Sequence, residues 1–331
     1  MAAPVAVSGS SASRNPLHTE PATMKSSLAI LLATLGLAAP AFADDASCKS
    51  VRMSDPGWSD ITSTNALAGV VLDALGYTQQ VKSLSVPIGY EALKTGDLDV
   101  FLGNWMPAQQ PFRDDLDKAK AAVVLGRNLE GAKFTLAVPT YVAEAGVADF
   151  KDLAPNADKF DDKIYGIEPG APANQNLQKM IADDDFGLKD WEVVESGEQA
   201  MLAQVKRAEK GKDWIVFLAW APHPMNNAFD LTYLTGGDAY FGPNYGGAEV
   251  FTLARTGWPE ACPNVATFFR NLKFTVPMEN DMMALIAEED PAAAARDWLK
   301  QHAEVLDGWL AGVTTFSGEP GLAAVQKSIG L

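Results

Sequence analysis

The sequence predicts an α/β fold made of two units, each with a parallel sheet covered by helices. Of its 331 residues 47% are apolar, which is enough to bury a sizeable core. Short β-rich apolar runs alternate along the chain with segments of helical periodicity, and this alternation is typical of βαβ connections. Because the alternation forms two separate series, we expect two α/β units.

The first unit begins with the strand "VRMSD", which leads through a Pro-Gly turn into a helix. A Ser or Thr near 62–64 is expected to cap this helix, and Gly76 is expected to end it. The strand "VKSLSVP", a short helix and the strand "LDVFLGNW" follow. Together these elements form one βαβ series.

The second unit begins with the strand "AKFTLAVP". The elements that follow are, in order, "KIYGIEPG", a helix from about Asn174, "WEVVES", a helix from about Gly197 and "DWIVFLAW". The chain then returns through "FDLTYL" and "VFTLARTG" to a helix-rich C-terminus.

Two crossings of the chain are expected to join the units, near residues 126–133 and near residues 231–237. The first lobe would then be discontinuous, with residues 44–130 and 232–331. Residues 131–231 would form the second lobe. A double crossing makes a hinge, so we expect the lobes to close on a ligand.

Residues 1–43 are expected to be an N-terminal extension and a signal peptide. The apolar run Leu28–Ala43 is too short for a membrane span, is rich in small residues and ends in Ala-Phe-Ala. These features indicate cleavage after Ala43. Met24 and Lys25 precede the apolar run, so Met24 is the expected start. The absence of a cysteine at the cleavage site argues against a lipid anchor.

The charge of the chain is strongly acidic. Its formal net charge is −16, and removal of residues 1–43, with two basic and one acidic side chain, gives −17. An acidic surface repels nucleic acid and anionic lipid. We therefore expect a soluble, periplasmic protein, monomeric, without a nucleic-acid partner and without membrane insertion of the mature chain.

The two cysteines, Cys48 and Cys262, lie far apart in the sequence. In an oxidising compartment such a pair is typical of a disulfide. Two buried, unpaired thiols are the alternative.

Three tryptophans stand in turns at or after the ends of strands. Trp105 follows "VFLGN", Trp220 follows "VFLA", and Trp58 lies on the turn after the first strand. Ligands bind at the carboxyl ends of strands in open parallel sheets, and several aromatic faces around one point attract a quaternary ammonium group. Taken singly, each ring is better explained as core packing, and it is the joint position of the three rings that favours a cage. We assign the core role to Trp191, Trp214, Trp258, Trp298 and Trp309.

Six segments between residues 48 and 320 resemble, in order, the periplasmic choline-binding proteins of ABC importers, within the wider quaternary-amine-binding family. They are "RMSDPGWSD", "SVPIGYEALKTGDLDVFLGNWMPAQ", "EGAKFTLAVPTYVA", "IYGIEPG", "FLAWAPHPMN" and "YFGPNYGGAEVFT". The resemblance implies a two-lobed type II binding-protein fold that closes on its ligand without catalysis. It also implies delivery of choline to a membrane permease and its ATPase, with no cofactor.

The resemblance also implies a set of ligand-binding residues. They are Trp58, Asp60, Trp105, Phe134, Asn174 and Trp220. The tryptophans match the cage, and Asp60 matches the acid that meets the choline hydroxyl. Phe134 stands where the family often has a tyrosine. After "IEPG", where choline binders often have an asparagine, the chain reads "APANQN", and Asn174 is the candidate replacement. Carnitine and glycine betaine are the alternative ligands.

Enzymatic and metal-binding functions find little support in the sequence. Residues 44–331 contain only His223 and His302 as histidines, and neither a Gly-x-Ser-x-Gly nor a His-Glu-x-x-His motif is present. Clustered His or Cys ligands for a metal are also missing. We expect His223 to stabilise a turn, and the protein not to be an enzyme. A choline-ester hydrolase is the enzymatic alternative.

Overall fold

The computed structural model describes residues 44–331, so the predicted extension and signal peptide lie outside the described residues. The strands are β1 (Ser50–Asp55), β2 (Thr78–Ser83), β3 (Val100–Met106), β4 (Ala122–Pro139), β5 (Lys163–Tyr165), β6 (Glu192–Val194), β7 (Phe217–Ala221), β8 (Leu231–Tyr233) and β9 (Gly247–Arg255). The helices are α1 (Ser59–Ala74), α2 (Val86–Thr95), α3 (Gln110–Ala119), α4 (Thr140–Glu144), α5 (Ala157–Phe160), α6 (Pro172–Ala182), α7 (Glu198–Gly211), α8 (Met225–Ala228), α9 (Asp238–Phe241), α10 (Pro243–Gly246), α11 (Trp258–Ala261), α12 (Pro263–Asn271), α13 (Val276–Ile286), α14 (Pro291–Gln301), α15 (Val305–Trp309) and α16 (Gly321–Ile329).

The strands are connected in the order β2-β1-β3-β9-β4-β7-β5-β6, and β8 pairs with β4. β1 runs parallel to β2 and β3, and β5 runs parallel to β6 and β7. We call β1, β2, β3 and β9 the first half-sheet, and β5, β6, β7 and β8 with the end of β4 the second half-sheet. Two parallel βαβ series are therefore present, and the predicted α/β class is confirmed.

Strand β4 connects the two half-sheets. Its first part pairs antiparallel with β9 from Ala122 to Lys133, and its last part pairs with β7 and β8. The sequence predicted a strand only from "AKFTLAVP" onward, whereas the strand begins at Ala122. The ladder with β9 is irregular in register between Val124 and Ala132. Such bulges bend a strand, and they coincide with the first predicted crossing.

The return of the chain involves β8 and β9. β8 pairs with β4 in the second half-sheet, and Thr235 bridges to Asp149, also on the second-half side. β9 then runs beside β4 and β3 in the first half-sheet. The lobe boundary near residues 231–237 stays a prediction, and these pairings favour a return along β9 instead.

Helix α1 begins earlier than predicted. Its N-cap is Trp58, and Ser59 is its first residue, so the expected cap near residues 62–64 is wrong. The Trp58 side chain makes no capping hydrogen bond, and the Ser59 backbone N–H instead donates to Glu198 of α7 at 3.1 Å. A carboxylate from a distant segment thus replaces a local cap. Gly76 has φ +87° just after the helix, as a C-terminal glycine should.

The predicted disulfide between Cys48 and Cys262 is present, with 5.6 Å between the two Cα atoms. It ties the segment before β1 to the start of α12, 214 residues further along the chain. In the chain-entropy model, a disulfide that closes a loop of this length stabilises the folded state by roughly 5 kcal/mol, before any strain is subtracted. Helix α1 packs on α13, α14 and α16 and against β1, β2 and β3 of the first half-sheet.

Candidate ligand-binding site

A cavity lies where the carboxyl ends of strands from the two half-sheets meet. Its empty space is about 430 Å³, part of it open to solvent. The lining residues are Trp58, Asp60, Trp105, Ala108, Gln109, Phe134, Ile167, Pro172, Ala173 and Trp220. This position agrees with the rule that open α/β sheets bind ligands beyond the carboxyl ends of their strands.

Four aromatic rings line this cavity. Trp58 and Trp105 come from the first half, at the start of α1 and in β3, and Phe134 and Trp220 come from β4 and β7 in the second half. Phe134 and Trp220 are direct partners in the β4–β7 ladder, so their rings project on the same face. Each of the four is less than 9% exposed. The structure thus brings all four predicted rings together around one space.

Asp60 lies in the first turn of α1 and lines the same cavity. It is 2% exposed, and its Oδ2 accepts a hydrogen bond from the Trp105 indole N–H at 3.0 Å. Its Oδ1 is buried and has no hydrogen-bond partner among the described residues. Burial raises the pKa of Asp60 to about 7, and the nearby charge of Glu198 acts in the same direction. A ligand hydroxyl would find an unused acceptor here.

Glu168 holds the second indole of the cage from the opposite half. The Trp58 indole N–H donates to Glu168 Oε2 at 2.8 Å, and Glu168 Oε1 is buried without a partner among residues 44–331. Burial raises the pKa of Glu168 to about 7, partly offset by this hydrogen bond. Two cage tryptophans therefore each donate to a carboxyl group whose second oxygen is unused.

Glu198 connects the halves next to the cage. Besides the Ser59 backbone N–H, the Ser59 hydroxyl donates to it at 2.8 Å, and His223 Nε2 lies 3.2 Å from its Oε1. Because His223 Nδ1 accepts from the Met225 backbone N–H, Nε2 carries the proton and donates to Glu198. Burial alone would raise the pKa of Glu198, but the His223 and Ser59 contacts hold it below its usual value. His223 fixes the turn after β7, as predicted.

A fourth acid, Glu279 of α13, lies behind the cage. It is 3% exposed, and burial together with the charge of Asp60 raises its pKa well above the usual value. The acids Asp60, Glu168, Glu198 and Glu279 therefore surround one region, and within residues 44–331 no lysine or arginine forms an ion pair with any of them. A ligand cation would supply a missing positive charge.

Asn174 does not line the cavity. It is fully buried, its Oδ1 accepts from the Ile167 backbone N–H at 3.0 Å, and its Nδ2 donates to the Ile167 and Glu168 carbonyls and to Glu195. The side chain is thus used up in fixing the corner after β5. It orients Ile167 and Glu168 and leaves no free atom for a ligand.

Sequence reasoning missed several residues of the site. Ile167, Pro172 and Ala173 form the wall contributed by the β5–α6 corner, and Ala108 and Gln109 form the wall after β3. The acids Glu168 and Glu198 were also missed. Their partners Trp58 and Ser59 are 110 and 139 residues away, so no local pattern announces the contact. The "IEPG" motif was the available signal for Glu168.

Between residues 44 and 331, no group of three or more His, Cys, Asp or Glu side chains is arranged to hold a metal ion. In the same range, no helix has the length and apolar character needed to cross a membrane.

Two α/β halves that meet over an aromatic cavity define the class of two-lobed solute-binding proteins. Within this class, the chain belongs to the family of substrate-binding domains of ABC-type glycine betaine transport systems, which matches residues 49–301. The family is one of transport proteins that bind substrate, and it agrees with the resemblance predicted from the sequence.

Solved structures support this assignment. The chain is 52% identical to an ABC-transporter choline-binding protein in complex with choline, with a TM-score of 0.85 over 87% of this chain and 100% of that one. An unliganded semi-closed form of an ABC-transporter choline-binding protein gives 52% identity and a TM-score of 0.80 over 86% and 100%. Lactococcal OpuAC, closed on glycine betaine, gives 27% identity and 0.72 over 79% and 99%. The predicted two-lobed binding-protein fold is thereby confirmed.

Proposed function

We propose that this protein binds choline in the cage between its two halves and delivers it to an ABC permease. The observation that carries the proposal is the convergence of Trp58, Trp105, Phe134 and Trp220 on one cavity, beside the buried acid Asp60. A trimethylammonium group has no hydrogen-bond donor, so ring faces are the partners that suit it. The likeness to a choline complex at 52% identity supports the same ligand.

Asp60 is the group that distinguishes choline from its relatives. The choline hydroxyl can donate to Asp60 Oδ1, which has no partner among the described residues. Glycine betaine would instead bring a carboxylate toward Asp60 and Glu198, and like charges in a site with little water repel strongly. Choline should therefore bind more tightly than glycine betaine.

Two positions depart from the pattern of choline binders and keep carnitine as the main rival. Phe134 has no hydroxyl, and Ala171, directly after "IEPG", has no side-chain amide. Carnitine has both a hydroxyl and a carboxylate. A site that offers fewer polar side chains discriminates less between such ligands. The acids around the cavity nevertheless favour a ligand with a net positive charge.

The biological role proposed is that of an exported binding protein. Residues 1–43 would direct export to the periplasm and be removed after Ala43, and the mature, monomeric protein would pass its ligand to the permease and ATPase subunits. The proposed lobes are residues 44–130 with residues 232–331, and residues 131–231. Binding shifts the open and closed forms in proportion to the ligand's differential affinity. We do not propose catalysis.

Calorimetric titration with choline, glycine betaine, carnitine and acetylcholine tests the ligand. We expect choline to bind at least about tenfold more tightly than glycine betaine, since a charge-assisted hydrogen bond is replaced by repulsion. Acetylcholine lacks the hydroxyl donor and should be weaker than choline. Tighter binding of glycine betaine or carnitine would refute the choline assignment while leaving the family unchanged. Turnover of acetylcholine above the uncatalysed rate would revive the hydrolase alternative.

A further inference from the structure

We propose that Glu168 is a second acid of the cage, which fixes the Trp58 ring from the opposite half of the molecule and supplies negative charge that favours cationic ligands. The inference rests on the proposed function, because it assigns a role within the same site. Glu168 does not line the cavity, so it acts on the ligand through Trp58 and through its charge. It is a positioning residue.

The first support is the hydrogen bond between Trp58 and Glu168. The indole N–H is the only donor of a tryptophan side chain and lies in the plane of the ring. An acceptor 2.8 Å from Nε1 therefore fixes the rotation of the ring and leaves its faces free. Trp105 is held in the same way by Asp60 at 3.0 Å. The cage thus has two tryptophans whose edges are set by carboxyl groups.

The second support is the rigidity of the corner that carries Glu168. Asn174 donates to the Glu168 carbonyl at 3.0 Å and exchanges hydrogen bonds with both backbone groups of Ile167. Gly166 makes this packing possible, because a Cβ at that position would come within 2.4 Å of Asn174 Oδ1. The corner is therefore fixed before any ligand arrives. Because the Asn174 amide is buried in this corner, Asn174 lies near the site but does not line the cavity.

The third support is the charge around Glu168. Its Oε1 is buried without a partner among the described residues, and the other ionisable groups that act on it are the acids Glu195 and Glu198. No lysine or arginine forms an ion pair with it in the described part of the chain. A carboxylate in such surroundings lacks a counter-charge. The ammonium group of a bound ligand would provide one.

The contact between Trp58 and Glu168 also makes closure of the two halves depend on the charge of Glu168. Trp58 belongs to the first half and Glu168 to the second, so their hydrogen bond exists only when the halves are together. When the halves separate, Glu168 can regain water. Burying it again is unfavourable unless a cation occupies the cage. Glu168 therefore favours closure on a cation over closure on an empty or neutral site.

The test compares choline with its neutral isostere, 3,3-dimethylbutan-1-ol, in which carbon replaces the nitrogen. In Glu168→Gln the side-chain oxygen still accepts from Trp58, but the charge is lost. We expect the choline Kd to rise at least about fivefold and the Kd of the isostere to change less than about twofold. Glu192→Gln, an exposed acid at the start of β6, is the matched control and should change neither.

A second variant separates positioning from charge. Glu168→Leu removes the acceptor as well, so both ligands should bind more weakly, and the near-ultraviolet circular dichroism of the tryptophans should change relative to Glu168→Gln. Choline binding by Glu168→Gln equal to that of the parent would overturn the role of Glu168 and leave the proposed function intact. Equal weakening of both ligands in Glu168→Gln would overturn the charge role. Failure of the parent to bind choline would refute the proposed function itself.

Discussion

At the scale of single residues, two of the three cage tryptophans, Trp58 and Trp105, have two distinct contacts each. Both side chains line the cavity, while their N–H groups donate to Glu168 and Asp60. A hydrogen bond in the plane of the ring sets the ring's orientation but does not cover its face. Trp105 and Asp60 belong to the same half, so the Trp105 ring is held in place before a ligand binds, and less conformational entropy is lost on binding. The Trp58 ring is held by Glu168 once the halves are together.

We expect Trp105→Ala and Trp220→Ala each to weaken choline binding at least about tenfold, since a desolvated ring face contributes on the order of 1–2 kcal/mol and its loss also opens the cavity. Calorimetric titration gives the affinities. Trp214→Ala is the matched control, because Trp214 is only half-buried and does not line the cavity. Unchanged choline binding in both cage variants would show that the cage assignment is wrong.

Asp60→Asn should weaken choline and narrow its advantage over glycine betaine. Asparagine still offers an oxygen to the Trp105 N–H, so the ring should stay in place, whereas the negative charge beside the ligand is lost. A charge-assisted hydrogen bond contributes about 1.5–3 kcal/mol, so a loss of about tenfold or more is expected for choline. Titrations of both ligands against both proteins give the ratio. A ratio that stays the same would mean that Asp60 does not face the ligand.

A site residue could be predicted from the sequence when the features that reveal it are close to it in the sequence. Trp58, Trp105 and Trp220 could be predicted because the strands that lead to them are visible in the local sequence, although Trp105 and Trp220 lie in the last residues of β3 and β7 and not in turns as expected. Asn174 was misjudged because its type suited a ligand contact, while its location inside the β5–α6 corner depends on backbone groups that no sequence pattern displays. The polar contacts of a buried amide are decided by the tertiary fold.

At the scale of elements, helix α1 shows how a distant group can replace a local signal. Its first turn carries Trp58 and Asp60 toward the cavity, and its N-terminus is capped by Glu198 across the boundary between the halves. A carboxylate at a helix N-terminus is stabilised by the free N–H groups and by the helix dipole. The start of α1 is thus set by the second half, which explains why a cap was predicted at the wrong residues.

Ser59→Ala should loosen the contact between the halves without changing a residue that lines the cavity. The variant loses the 2.8 Å hydrogen bond from the Ser59 hydroxyl to Glu198, and a hydrogen bond to a charged group contributes about 1.5–3 kcal/mol. Because this hydrogen bond joins the two halves, its loss destabilises the closed form relative to the open form by part of this free energy. Choline affinity should therefore fall about three- to tenfold. Titration and stopped-flow dissociation measure the effect. Ser83→Ala, exposed on β2, serves as the control. Equal affinities in the two variants would contradict a contribution of this contact to closure.

The βαβ series could be predicted from the sequence because their apolar and helical periods are local. The extent of β4 could not, because residues 122–131 contain glycine, arginine and asparagine, and owe their extended conformation to pairing with β9 more than a hundred residues later. Strand formation depends strongly on such pairing. The crossing between the halves was consequently placed at the junction of the two βαβ series, without knowledge of its partner strand.

At the scale of the whole molecule, the raised pKa values of the buried acids predict opposite effects of pH on the stability of the fold and on the affinity for choline. The pKa values of Asp60 and Glu168 are raised to about 7, above the value of about 4 expected in an unfolded chain. The unfolded chain therefore releases these protons first, so the stability that they contribute is fully present below about pH 4 and is lost as the pH rises through 7. Choline favours the ionised forms, so its affinity should increase over the same range.

Thermal melts with and without saturating choline at pH 6 and pH 8 measure both effects. The rise in melting temperature caused by choline should be larger at pH 8 than at pH 6. Titrations in two buffers of different ionisation enthalpy give the number of protons released. In Asp60→Asn and Glu168→Gln this number should decrease. A choline-induced shift that is equal at both pH values in the parent would show that these acids do not respond to the ligand.

The buried acids have a consequence for how loaded and empty forms differ outside the cavity. Wherever a carboxyl group gives up its proton as the ammonium group enters, one positive charge replaces another, and the net charge of the protein stays the same. The strongly acidic surface then presents nearly the same electric field in both forms. A transporter that must distinguish the two would have to do so by the angle between the halves, because electrostatic attraction alone would bring it empty and loaded proteins at equal rates.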